Sequence, residues 1–103
     1  MRIEEYEQQV AGGTIMRPDV DMLKHCILGM NEEAGECAGI VKKSEYAGGA
    51  LNLERLDEEA GDLLWYVTRF CIERGYTLAD LALLNLRKLA KRHPTKYTLP
   101  EGA

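Results

Sequence analysis

Residues 23–43 read LKHCILGMNEEAGECAGIVKK and residues 53–73 read LERLDEEAGDLLWYVTRFCIE, and these two stretches decide the fold. In the first, Leu23, Ile27, Met30, Ala34, Cys37 and Val41 recur at steps of four and three, the spacing of an apolar stripe on an α-helix. In the second, Leu53, Leu56, Ala60, Leu63, Val67 and Phe70 do the same. Between them Ser44 to Asn52, with Gly48-Gly49 inside, reads as a turn. The pattern therefore predicts two long helices folded back into an antiparallel hairpin. Nothing alternates with period two over a useful length, so no strand is expected and the fold class is all-α.

Outward from the hairpin, breakers and caps mark two shorter helices. Gly12-Gly13 and Arg17-Pro18 close off a first helix over about residues 2–11. Asp19 or Asp21 supplies the cap of the second helix, which is expected to end near Lys43. Gly75 is a stop signal for the third. Thr77 with Asp80 has the outline of a capping box and opens a fourth helix that ends before Pro94. The tail from His93 to Ala103 carries Pro94, Pro100 and Gly102 and is expected to be extended and loosely held. A length of 103 residues suits one domain, here the whole of residues 1–103.

Composition removes several functions. With 46% hydrophobic and 29% charged residues, the chain is expected to be globular. No apolar run approaches the roughly 20 residues of a membrane span, and an N-terminus carrying Glu4, Glu5 and Glu7 does not read as a signal peptide. Thirteen Lys+Arg against 17 Asp+Glu leave a net charge of −4 with no basic block, which argues against nucleic-acid binding as the main task. Cys26, Cys37 and Cys71 are odd in number, lie in apolar stretches and show no CxxC spacing. They read as reduced core residues of a cytoplasmic protein rather than disulfides or zinc ligands.

The acids of the hairpin are spaced for chemistry. Counted from the inner helix ends, Glu36 lies seven residues before Lys43 and Glu59 six after Leu53; Glu33 and Asp62 lie ten and nine away. At a rise of 1.5 Å per residue the two levels sit about 10 and about 14 Å along the helices. Glu33 and Glu36 share a face, as do Glu59 and Asp62, because each pair is spaced i, i+3. Four carboxylates at one level repel unless a cation cancels their charge. An all-oxygen set suits magnesium, with manganese as a substitute, and not zinc. The competing interpretation is a solvated helix face, since Glu is a good helix former. A di-iron site would want Glu-x-x-His pairs, which are absent; His25 reads as a flanking polar residue.

On the fourth helix Leu78, Leu81, Asn85, Lys88, Leu89 and Arg92 fall on one face, so polar groups continue a leucine stripe. Asn85 could orient a water or an anionic oxygen, and Lys88 and Arg92 could neutralise phosphate or simply complement the helix C-terminus. Lys42 and Lys43 at the end of the second helix invite the same two explanations. Tyr66, one turn after Asp62, could stack on a base or pack in the core.

At these residues the chain resembles the MazG-like all-α nucleoside triphosphate pyrophosphohydrolases. Their signature, EExxE followed after a variable gap by ExxD, reads here as Glu32-Glu33-Ala34-Gly35-Glu36, then 22 residues (37–58), then Glu59-Ala60-Gly61-Asp62. The run Asn85-x-x-Lys88-Leu89-x-x-Arg92-His93-Pro94 also looks familial, and the likeness covers about residues 20–95. The resemblance implies that Glu33, Glu36, Glu59 and Asp62 hold magnesium and that Glu32 helps with a second metal or the attacking water. It implies hydrolysis of a nucleoside triphosphate between its α- and β-phosphates, and assembly as a dimer or tetramer. A non-catalytic nucleotide- or metal-binding regulatory subunit is the alternative.

Assembly is also expected from the third helix. Leu64, Trp65 and Ile72 form a second apolar face roughly 130–160° from the first, and a first helix with only Ile3, Tyr6 and Val10 looks too small to cover it. A homo-oligomer would complete the bundle.

Overall fold

Capping residues set the helix boundaries. A computed structural model describes residues 1–103 apart from Met16 and Ala47 and contains α1 (Ile3–Gly13), α2 (Met22–Tyr46), α3 (Leu53–Arg74) and α4 (Leu78–Arg92). Among the described residues there is no strand. Asp21, not Asp19, starts α2: its Oδ1 accepts from the Leu23 and Lys24 N–H groups at 3.1 and 3.2 Å. Asp19 instead pairs with Arg17 at 2.9 Å. Asn52 caps α3 by accepting from the Arg55 N–H at 3.1 Å. Gly75 ends α3 at φ 79°, a left-handed conformation that costs glycine nothing. The capping box on α4 is complete, with Thr77 and Asp80 bonded to each other's backbone N–H at 3.0 Å. Two boundaries move: α1 runs on to Gly13, and α2 runs three residues past Lys43 to Tyr46. That shortens the expected turn at 44–52, of which Ala47 lies outside the described residues.

The hairpin is the body of the fold. α2 and α3 pack along their length, α1 lies against α3, and α4 meets α3 over a smaller contact. The buried face of α2 is rotated from the expected stripe. Cys26, Gly29 and Ile40 are buried, while Ile27 and Val41 are exposed. The cause lies in α2's composition, which has small or apolar residues nearly all round, so that the stripe facing α3 is chosen by fit rather than by hydropathy. Cys26 and Cys71 are fully buried and all three cysteines are free. Of the expected second face of α3, Trp65 and Ile72 are half-buried while Leu64 is exposed; Val10 of α1 is buried.

Two polar residues enter the core, each with a partner there. The Thr68 hydroxyl donates to the Leu64 carbonyl at 2.7 Å. Arg69, 6% exposed, pairs with Glu73 at 3.4 Å, the condition under which a buried charge is tolerated.

The chain is open. Leu28, Leu53 and Leu84 stay 57–69% exposed. The radius of gyration is 16.7 Å, against about 13 Å for a compact chain of roughly 100 residues. Asn85, Lys88 and Arg92, expected to point inward from α4, are exposed. Residues 93–103 are exposed throughout.

Candidate functional site

Three acids of the two motifs come together, although α2 runs three residues past the Lys43 that the height count takes as its end. Glu33 of α2 and Glu59 and Asp62 of α3 each offer a carboxylate oxygen, and those oxygens lie within 4.8 Å of one another. Glu33 and Glu59 are half-buried and Asp62 is exposed, so the cluster sits at the lip of the helix seam. Glu36, one turn further along α2, is exposed and falls outside this group. Glu32 is exposed beside it and acts on Glu33 through its charge.

The electrostatics show what the cluster lacks. Glu33 and Glu59 share a side-chain hydrogen bond, which two carboxyl groups make only when one of them carries a proton. That bond first, then burial and the charges of Glu59, Asp62 and Glu32, pushes Glu33 up to about 7. Glu33 Oε2 is buried with no hydrogen-bond partner. A buried acceptor without a donor is costly, and a divalent cation supplies what is missing: positive charge in place of the shared proton, and a ligand for Oε2. The residues present therefore fit a hard metal ion. Arg55, 3.6 Å from Glu59, offsets part of the charge from below.

Next to the acids is an aromatic wall. Glu33, Asp62, Trp65 and Tyr66 line a cavity of about 410 Å³. Tyr66 meets Trp65 edge-on at 5.1 Å between ring centroids and His25 at 5.9 Å. Its ring lies against the backbone of Gly29, where a Cβ would overlap three ring carbons. Gly29 is one turn before Glu33, so the ring is held one turn from the acids. Burial, then the charges of Glu33, Glu32, Cys26 and Asp62, raise the Tyr66 phenol above its ordinary value. Trp65 also lines a second cavity, of about 310 Å³, with His25, Thr14 and Arg17.

The sequence-derived candidates therefore divide. Glu33, Glu59, Asp62 and Tyr66 come together. Lys43 lies at the hairpin tip, in a cavity of about 210 Å³. Asn85 and Lys88 line a separate recess with Leu81 and Leu84, Arg92 stands on the exposed end of α4, and none of the three lines the acid cavity. Trp65, His25 and Gly29 were missed as site residues. Their signal was positional: each is within a turn of Tyr66 or across the seam from it.

An all-α hairpin presenting a carboxylate cluster suited to a metal ion, beside an aromatic cavity, defines the class. The sequence profile of the MazG nucleotide pyrophosphohydrolase domain matches residues 22–97, and the chain belongs to that family. Neither a curated protein nor a solved structure matches the chain closely enough to add to this.

Proposed function

We propose that the protein is a magnesium-dependent hydrolase of nucleoside or deoxynucleoside triphosphates, cleaving between the α- and β-phosphates to give the monophosphate and pyrophosphate. The observation that carries this reading is the Glu33–Glu59–Asp62 cluster with its unpartnered Oε2, in a chain of the MazG family. Glu33, Glu59 and Asp62, with Glu36 as a fourth ligand, hold the cation, and manganese is a workable substitute. Bound there, magnesium offsets the charge of the phosphates and acidifies the attacking water. Tyr66 and Trp65 take the base, which every nucleobase can satisfy by stacking. Glu32 accepts the proton from the water as its oxygen bonds to the α-phosphorus and the bond to the bridging oxygen breaks. Pyrophosphate leaves. Ser44 is at the hairpin tip and, among the described residues, no Cys or His lines the acid cavity, which favours direct water attack over a covalent intermediate.

Lys43, Asn85, Lys88 and Arg92 serve the phosphates in this reading. The exposed α4 residues reach the acids from a second copy of the chain, which also covers Leu28, Leu53 and Leu84. Residues 1–103 act as one domain, in the cytoplasm, as a dimer or tetramer. The test is a panel of canonical and damaged triphosphates with magnesium, followed by phosphorus NMR of the products. Monophosphate and pyrophosphate are expected. Orthophosphate would overturn the cleavage position, and binding without turnover would favour a regulatory subunit.

A further inference from the structure

The seam between α2 and α3 has a chemical polarity. On α2 Gly29, Glu33, Glu36, Ile40 and Lys43 step by four and three along one face; from the cap Asn52 into α3, Arg55, Glu59, Asp62 and Tyr66 do the same in the opposite direction. From the α1 end toward the hairpin tip the order is aromatic, acidic, basic. Tyr66 lies four residues, about 6 Å, to one side of Asp62, and Arg55 lies seven residues, about 10 Å, to the other. The basic end is a recess: Lys43 and Arg55 line the cavity of about 210 Å³ at the tip, together with Ile40, Ser44 and Asn52.

We infer that this tip cavity is a binding site for a pyrophosphate group, and that it holds the terminal phosphates of the substrate and then the leaving group. The inference rests on the proposed function, and adds to it the direction in which the substrate lies and a residue, Arg55, that the acidic motifs do not include. A nucleoside triphosphate has the same order of chemistry as the seam: a flat base, a phosphate that needs a cation, then two further anionic groups. Laid with its base on Tyr66 and Trp65, it directs those groups toward Lys43 and Arg55. Laid the other way, it would put its most anionic end against aromatic rings and Glu32. Arg55 is suited to the role, because a guanidinium binds phosphate oxygens in pairs. Its ion pair with Glu59 is long, at 3.6 Å, and half-exposed, so it holds the side chain only weakly. Both cations stand on helices at the closed end of the hairpin.

The test is calorimetric titration of the full chain with magnesium and inorganic pyrophosphate. Lys43→Gln and Arg55→Gln should each weaken pyrophosphate about tenfold or more, while a nucleoside monophosphate binds as before. Lys91→Gln, which removes an exposed cation elsewhere on the surface, should leave both unchanged. Circular dichroism checks that the variants are folded. Unchanged pyrophosphate affinity in both tip variants would overturn the site, as would an equal loss of monophosphate affinity. A wild-type chain that binds pyrophosphate through these residues but hydrolyses no nucleotide would retain the tip site and refute the proposed function instead.

Discussion

Replacing Gly29 by alanine sets two known effects against each other on one residue. Alanine in the interior of a helix is worth about 1 kcal/mol over glycine. At Gly29, however, the added methyl overlaps Cδ1, Cε1 and Cζ of Tyr66. Overpacking of this kind costs about 1–3 kcal/mol, because the ring must leave its place or α2 must move from α3. The net expectation is a loss of about 0–2 kcal/mol, the difference of those two figures. Gly39 on the same helix is the reference, since a Cβ there meets nothing within 4 Å. Gly39→Ala should gain the propensity alone, and raise Tm by roughly 4–8 °C at about 1 kcal/mol. Thermal melts at one protein concentration give the comparison, and near-UV circular dichroism reports whether Tyr66 and Trp65 have moved. In a Tyr66→Ala background the penalty should vanish and Gly29→Ala should stabilise as Gly39→Ala does. If Gly29→Ala stabilised the otherwise unaltered chain to the same degree, with an unchanged aromatic signal, Tyr66 would not be seated on Gly29 and the aromatic wall would be wrongly placed.

Because Glu33 titrates at about 7 instead of near 4.5, the folded chain without metal holds an extra proton between those values. Its stability should therefore fall as pH rises from 4.5 through 7, and magnesium should abolish the slope; a flat metal-free profile would deny the shared proton. Asp80 is shifted the other way, lowered by its hydrogen bonds to Thr77. Its contribution is complete above the ordinary Asp value and is lost as pH falls through the lowered one, so Asp80→Asn should flatten the acid limb of the stability curve below about pH 4. Thr77→Ala, which removes the cap itself, should cost about 1 kcal/mol, read from denaturant melts. Light scattering at micromolar concentration should give a dimer or tetramer; a stable monomer there would mean that the exposed leucines need no partner.

Much of the fold was readable because its signals are local. Asp21, Asn52, Gly75 and the Thr77–Asp80 box each fix a boundary through neighbours a few residues away. The level of the acids was not readable by counting: the count to Lys43 pairs Glu36 with Glu59, whereas α2 runs on to Tyr46 and Glu33 is the α2 acid that meets Glu59. Rotation about the helix axis was not readable either. On α2, Ile27, Leu28 and Val41 compete with Cys26, Gly29 and Ile40 for the inward face, and hydropathy prefers the first set. The structure selects the second, because the small residues Cys26 and Gly29 let α3 and the Tyr66 ring approach. The same rotation brings Glu33 into the seam and leaves Glu36 at its edge. Gly29 itself was invisible to periodicity, which counts a glycine as neither apolar nor polar. Arg69 was hidden for the opposite reason: a charged residue scores as surface, and its pairing with Glu73 helps to make burial tolerable. α4 meets α3 over a small contact, and Asn85, Lys88 and Arg92, expected on its inward face, are exposed.

The central claim is that Glu33, Glu59 and Asp62 together hold one divalent cation, and electron paramagnetic resonance of added manganese measures that without any substrate. Wild-type chain should deplete the free manganese signal with a saturable site that magnesium displaces. Glu33→Gln and Asp62→Asn should each lose that site while keeping their helical circular dichroism. Retention of the site at wild-type affinity in both variants would contradict the account.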